Sequence, residues 1–511
     1  MSEVRIEIIV PSDITQPPKT TKTRPRLRPN YPRARTGCLT CRRRKKKCDE
    51  KKPICSGCSR NKIPCQWPEK KADAQPPSTA PPITTSSDSP DQNQPAEARL
   101  GIVRVSRSDR ACTLTPQSSL LLSHYLCETG MVLGTQPIQR NSFITHIAPL
   151  AYADDLLMHS VLALSGTHLA YRKGSDSCVQ TATLQHYSTA ISGLRTSFTT
   201  FKSGNVQETV KLLLVLLVVC HYEILSGERT GVVFNHLRAC RSLIVSIFPT
   251  LNSSFIDTLP DQEKTALSVC LELYAYIMTT NTLTSYGTIT NGGLPYDDFL
   301  FSLDSLSGYS SFGTMFGGCH SLFELIPQIA QFASARMDEE KVGLEHMSPK
   351  LQELHDKLET SIRLWTLPKL KPPCTETAEE WIERTVAAEV LRDGLFIYLA
   401  STSSGSVVSD KALLDRIQFH IDVMSHNLRR LTLPRVCANL MWPIIIAGSC
   451  VVKEAQRTLI SRALKHSYFP MKHTFTACEL LEKLWENPAP EAFGPYGLHL
   501  IEKTGFWLPV I

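Results

Sequence analysis

Cysteine falls at positions 38, 41, 48, 55, 58 and 65, the pattern C-x2-C-x6-C-x6-C-x2-C-x6-C, and the second triplet repeats the first at a constant offset of 17. Two residues between cysteines let the chain turn so that both sulfurs face one ion. Zn²⁺ takes four thiolates tetrahedrally at ~2.3 Å. Six sulfurs cannot fill two separate four-sulfur sites, but with two of them shared they make eight contacts, enough for two Zn²⁺. Lys and Arg crowd the same stretch and favour the thiolate form that a metal binds. Disulfides are the competing reading, with about 15 pairings open to six cysteines. The first residues, Met1 to Glu7, include acids and no hydrophobic signal core, so secretion and its disulfides are disfavoured. A segment this short and poor in apolar residues is expected to fold only on binding metal.

Charge is as unevenly placed as cysteine. Residues 19–71 hold 19 Lys or Arg against three acids, a net +16, whereas the whole chain of 511 residues carries +7. With −2 over residues 1–18, everything after residue 71 comes to −7. A small, intensely basic module joined to a large, mildly acidic region points to a polyanion partner for one end only. Within the cysteine stretch, Arg42, Arg43, Arg44, Lys45, Lys46 and Lys47 form an unbroken cationic run. Such residues neutralise phosphates, so binding should weaken steeply with salt, and they donate to the O6 and N7 acceptors of guanine in the major groove. The bland reading, a nuclear-import signal or a solvated face, leaves the bracketing cysteines unexplained.

Composition divides the rest. Residues 1–36, with six prolines from Pro11 to Pro32, read as a disordered basic arm. In it Arg24, Arg26, Arg28, Arg33 and Arg35 either add phosphate contacts or belong to a simple tail. The metal module covers 37–66. Residues 67–111 read as a linker rich in proline and serine. From 112 to 490 the apolar spacing is helical, i, i+3, i+4, with alternating β patterns scarce, and 491–511 form a C-terminal tail. Helices are expected over roughly 180–201, 232–248, 262–283, 320–341, 349–365, 377–401, 410–431, 440–464 and 473–486, besides segments around 120–128, 156–168 and 212–225. The longest apolar run, Leu212 to Cys220, is nine residues, far below the ~20 of a membrane span, so no membrane partner is expected. Trp442-Pro443 should kink or start a helix.

The helical region carries no catalytic constellation: no Gly-rich phosphate loop, no Gly-x-Ser-x-Gly elbow, no His-Glu-x-x-His. No enzyme is expected. His159 and His168 lie on a mostly apolar helix and read as core or capping residues. The eleven cysteines outside the module are scattered without a C-x-x-C pair and read as small buried hydrophobes, with redox sensing the minority reading. The Asn252-Ser-Ser sequon has no role in a chain that does not enter the secretory path.

The stretch from Cys38 to Asp49 resembles the fungal binuclear zinc cluster transcription factors, whose pattern C-x2-C-R-x-R-K-x-K-C-D it meets. The resemblance implies a small, irregular two-zinc module with two short helices, in which the first and fourth cysteines bridge the metals. Cys38, Cys41, Cys48 and Cys55 would hold one zinc, and Cys55, Cys58, Cys65 and Cys38 the other. It further implies that the helix after the second cysteine enters the DNA major groove and that Arg44 and Lys45 read a CGG triplet. Arg42, Arg43, Lys46 and Lys47 then suit phosphates. Pro53 matches the family's loop proline.

A second resemblance runs through most of residues 115–490. Asn141 to Phe143 (NSF), Leu157 to Leu169 (LMHSVLALSGTHL), Leu440 to Gly448 (LMWPIIIAG) and Leu480 to Glu486 (LLEKLWE) look like parts of the fungal-specific transcription factor domain. This implies an all-α regulatory domain in a nuclear regulator of RNA polymerase II transcription, of the branch serving nutrient use or secondary metabolism. Partners would be double-stranded DNA and the transcription machinery or coregulators. The alternative is a cofactor or repressor acting mainly through protein contacts of the helical domain. No apolar heptads follow the cluster, so either a monomer binds one half-site or the helical domain forms a homodimer.

Overall fold

The computed structural model describes residues 38–44, 46, 48–67, 115–173, 176–201, 205–247, 259–283, 297–306, 312–369, 377–404, 409–466, 471–487, 489 and 491–510. The basic arm, nearly all of the linker, Cys112, Cys374 and the Asn252 sequon lie outside these. The described residues fall into two units, the cysteine module and a helical domain, and contain no strand. The expected fold class, a small two-helix cluster module followed by a large all-α domain, is what the chain adopts.

The module holds two one-turn helices, α1 (Leu39–Arg43) and α2 (Ser56–Arg60). In the helical domain, α3 (Pro116–His124) starts on a Thr115 cap. There follow α4 (Asp155–Lys173), α5 (Ser177–Thr200), α6 (Val206–Leu225), α7 (Val232–Ile247) and α8 (Asp261–Thr280). The second half has α9 (Leu325–Lys341), α10 (Pro349–Leu364), α11 (Ala378–Thr402) and α12 (Lys411–Leu428). It closes with α13 (Met441–Ser449), α14 (Glu454–Lys465), α15 (Lys472–Trp485) and α16 (Gly494–Glu502). Shorter turns lie between them.

The order of burial follows the apolar pattern. Helix α6 is almost wholly apolar from Leu212 to Cys220 and buried from Leu212 to Leu225, as a helix enclosed by others must be. Helices α4, α7 and α8 pack on it, while α11 lies against α12 and α13. Capping sets the starts: the Asn205 side chain accepts the Glu208 N–H, and Thr377 with Glu380 closes a reciprocal capping box on α11. Two glycines allow close approach. A Cβ on Gly166 would stand 2.0 Å from the Thr183 hydroxyl of α5, and one on Gly394 would stand 2.5 Å from Pro443.

Some boundaries differ from expectation for local reasons. The segment 440–464 is two helices, because the Gln456 side chain accepts the Lys453 N–H and starts α14 afresh. Pro443 is the third residue of α13, where its missing N–H has no intrahelical partner to lose. It therefore starts a helix without kinking one. Beside it Trp442 is fully buried, edge-on to Tyr398 at 5.4 Å. Residues 491–510, expected as a tail, include α16, and Leu498, Ile501, Leu508 and Val510 are buried in the core. Of the nine described cysteines outside the module, Cys220, Cys240, Cys270, Cys319, Cys450 and Cys478 are buried, Cys437 is half-buried, and Cys127 and Cys178 are exposed. For those last two the core reading fails. His168 is buried and bonded to Thr129 at 3.0 Å, and His159 meets His186 at 2.7 Å. Both are structural contacts.

One buried acid organises a turn. Glu272 of α8 accepts the N–H groups of Gly313 (3.0 Å) and Met315 (2.8 Å), and Thr314 between them bonds Ser142 at 2.8 Å. Burial pushes its carboxyl up from the ordinary 4.5 to about 8, against the pull of these amides. The folded protein therefore holds this proton more tightly than the unfolded chain does. The resulting stability is whole below about pH 4.5 and gone above about pH 8, falling by at most about 1.4 kcal/mol per pH unit between. Thermal unfolding of Glu272→Gln across pH 5 to 9 should show a smaller decline with rising pH than wild type. Parallel curves would mean the carboxyl is already ionised in the fold.

Candidate metal centre and nucleic-acid interface

The offset of 17 in the sequence becomes a repeated geometry. Helices α1 and α2 are related by it. The Cys41 N–H donates to Cys38 Sγ at 3.3 Å, and the Cys58 N–H to Cys55 Sγ at 3.4 Å. The Cys38 N–H donates to Cys48 Sγ at 3.4 Å, as the Cys55 N–H does to Cys65 Sγ at 3.4 Å. After each helix the same closing bond recurs, Lys46 N–H to the Cys41 carbonyl at 3.1 Å and Ile63 N–H to the Cys58 carbonyl at 3.2 Å. Both are six-residue bonds of the kind that end a helix in a left-handed residue, and Lys62 has φ +50°.

The sulfurs converge in two quartets, Cys38, Cys41, Cys48, Cys55 and Cys38, Cys55, Cys58, Cys65, each with all sulfurs within 4.8 Å of one another. Cys38 and Cys55 belong to both. Their sulfurs are 3.7 Å apart, and Cys41 and Cys55 are 3.5 Å apart. A tetrahedron with arms of ~2.3 Å has edges of about 3.8 Å, so the spacing fits thiolates around zinc. All six are free thiols. The disulfide alternative has no support here. Four of the six are fully enclosed, with only Cys48, Ile63, Cys65 and Trp67 half-buried against them. The core of this module is sulfur.

The thiols divide electrostatically. Burial works against ionisation at Cys55, but amide and thiol hydrogen bonds to its sulfur outweigh it and bring the thiol down to about 6. Cys38 is lowered in the same way. Cys41, hydrogen-bonded to Cys55 and buried, is pushed up to about 12. Zinc displaces thiol protons, which makes its affinity rise with pH.

The rest of the module braces this centre. The Asp49 carboxylate accepts the Ser56 N–H at 3.0 Å at the start of α2, and its bonds with Ser56 hold its carboxyl below the usual carboxylate range. Thr40 Oγ1 donates to the Pro64 carbonyl at 2.8 Å, and the Leu39 N–H donates to the Gln66 carbonyl at 2.7 Å, so α1 is tied to the last cysteine's neighbourhood. The Trp67 indole donates to the Pro53 carbonyl at 2.8 Å, with the Lys52 ammonium 5.6 Å from its ring. Neither Thr40 nor Trp67 stands out in the sequence. Only their spacing to Pro64 and Pro53 across the cluster gives them a role.

Charge breaks the symmetry that the sulfurs keep. The loop leaving α1 carries Arg44 and Lys46, both exposed, whereas the residues 17 positions on are Asn61 and Ile63. Lys45, Lys47 and the side chains of Arg42 and Arg43 lie outside the described residues. Exposed cations occur in both halves, Arg44 and Lys46 after α1 and Arg60 and Lys62 at the end of α2, but the unbroken run of six falls in the first half alone.

Comparison with known proteins gives the same division. Residues 36–74 match the profile of the fungal Zn(2)-Cys(6) binuclear cluster domain, and residues 119–491 match that of the fungal specific transcription factor domain. The zinc cluster domain binds two zinc ions. Among curated relatives, the chain is 45% identical over 58 residues to the transcription factor lfc1 of Flammulina velutipes, 11% of this chain and 21% of that one. It is 28% identical over 144 residues to the Zn(2)-C6 fungal-type transcription factor afumD of Aspergillus fumigatus, 27% and 33% of the two chains. It is 24% identical over 164 residues to the transcriptional activator protein UGA3 of Saccharomyces cerevisiae, 27% and 30%. The chain thus spans a third or less of the length of these relatives. No solved structure matches.

Proposed function

This chain belongs to the fungal Zn(2)-Cys(6) transcription factors with a fungal specific transcription factor domain, and on that premise we propose that it is a nuclear, sequence-specific DNA-binding regulator of RNA polymerase II transcription. In this reading residues 37–66 are the DNA-binding module. Cys38, Cys41, Cys48 and Cys55 hold one zinc; Cys38, Cys55, Cys58 and Cys65 hold the other. Arg44 and Lys45 read a CGG-type triplet, and Arg42, Arg43, Lys46 and Lys47 hold phosphates. The helical domain, 112–490 with the α16 segment added, supplies regulation and partner contacts in a pathway of nutrient use or secondary metabolism. The family indicates a regulator, not an enzyme.

The observation that carries this reading is the one-sided charge of the sulfur cluster. Two pseudo-equivalent halves share a metal centre, yet only the half following α1 bears the cationic run. A purely structural zinc module has no need of that asymmetry, whereas a module that lays one helix against DNA does. Selection of bound sequences from a random duplex pool tests it, with enrichment of CGG-type triplets as the expected result. In the same assay Lys45→Ala should relax the preference at the triplet by about 1–3 kcal/mol, while Lys46→Ala should weaken all sequences alike and reduce the salt slope by about one. If Lys45→Ala leaves base preference intact and only flattens the salt slope, the division between base and phosphate contacts is wrong.

A further inference from the structure

A cavity of about 720 Å³ opens in the helical domain where the ends of α6 and α12, the first turns of α13 and α15, and the length of α14 meet. This is within the range of small-molecule sites. Its wall is apolar, formed by Leu133, Leu225, Leu440, Met441, Ile444 and Leu459, and the cysteine module contributes nothing to it. Polar groups enter at two levels. His473 is 6% exposed, and its Nδ1 is buried with no hydrogen-bond partner among the described residues. Burial lowers this imidazole to about 4, so it is neutral at working pH. At the rim stand Arg429, Arg462 and His466, all exposed. Neither arginine has an ion-pair partner among the described residues.

Each feature has an ordinary origin taken alone. Arg429 ends α12 and Arg462 lies in the last turn of α14, where helix carbonyl ends favour cations. That does not account for two arginines without an acidic partner among the described residues both lining one apolar cavity. We propose that this cavity binds an apolar-bodied organic carboxylate, its hydrocarbon part against the leucine, isoleucine and methionine wall and its carboxylate on Arg429 and Arg462. A guanidinium is suited to a planar carboxylate, which it engages by parallel N–H donors. The proposal concerns the helical domain alone and stands whether or not the cluster reads CGG.

Titration calorimetry of the full zinc-loaded chain tests it with two probes, dodecanoate and the polycyclic 1-pyrenebutyrate. At least one should bind saturably, one per chain, and raise the unfolding temperature of the helical domain in proportion to the logarithm of its concentration. The double variant Arg429→Gln/Arg462→Gln removes two exposed, unpaired charges and should fold normally. It should bind the same probe at least about tenfold more weakly, a loss of about 1.4 kcal/mol. Dodecan-1-ol, with the same chain and no charge, should bind wild type no better than dodecanoate binds the double variant. Absence of saturable binding by either acid overturns the proposal. So does equal affinity of acid and alcohol, or unchanged affinity in the double variant.

Discussion

Cys55→Ser should lose both zinc ions and reduce specific DNA affinity by at least about 1,000-fold, to the level of nonspecific binding. Cys55 Sγ belongs to both sulfur quartets, so its loss opens two tetrahedra at once. A serine hydroxyl is not ionised near neutral pH and is a poor zinc ligand, whereas hydrogen bonds to the Cys55 sulfur lower its thiol toward the thiolate that zinc binds. The same sulfur accepts the Cys58 N–H and caps α2, so the substitution also frays the second helix. Because the enclosed part of the module is sulfur and little else, no apolar core remains to hold α1 in place. Cys65→Ser gives the contrast. Cys65 belongs to one quartet only, and this variant should retain close to one zinc per chain with weaker, still sequence-dependent binding. Metal content by elemental analysis and affinity for a CGG-containing duplex are the measurements. Two zinc ions and full affinity in Cys55→Ser would remove the shared-sulfur assignment.

What the sequence made legible was what depends on spacing. An offset of 17 between cysteine triplets is a statement about geometry, and the structure returns it as paired amide-to-sulfur bonds and two matching one-turn helices. Helical period likewise located α5, α7, α8, α10, α11, α12 and α15 to within a few residues, since burial of one face is what the period encodes. Three things were not legible. Breaks inside apolar runs, such as that between α13 and α14, are decided by a single side-chain cap at Gln456 rather than by a pattern. Segments with mixed composition, such as α16, are held by the core they pack on, and their own spacing is too short to announce a helix. Partnerships across long separations leave no trace in the chain: Glu272 with the turn at 313–315, or Thr40 with Pro64, are ordinary residues until the fold brings them together. The cavity beside His473 belongs to the same class. Its lining is drawn from both halves of the domain, from Val132 to Thr474.

Arg336 is the strongest case of a residue whose importance only the fold reveals, and Arg336→Met should destabilise the helical domain by about 3 kcal/mol. In the sequence it is one charge near the end of α9. In the structure its guanidinium is 4% exposed and donates to three backbone carbonyls: Ser403 at 3.2 Å, Leu344 at 3.2 Å and Glu345 at 3.0 Å. It also meets the carboxylates of Glu339 (3.4 Å) and Glu340 (3.2 Å). Glu339 in turn accepts the Ser348 N–H that starts α10. One side chain therefore joins α9, the turn after it, the start of α10 and the end of α11. Methionine fills much of the volume but leaves three carbonyls without a donor. Lysine keeps the charge yet cannot present donors in a planar fork, so Arg336→Lys should recover less than half of the loss. Arg363 supplies the control. It is largely exposed and pairs with Glu359 one turn back on α10, so Arg363→Met should change stability by no more than about 0.5 kcal/mol. Over a domain of this size, ~3 kcal/mol corresponds to a drop of about 4 °C in unfolding temperature. Equal shifts for the Arg336 and Arg363 variants would mean that the carbonyl contacts contribute nothing beyond a surface ion pair.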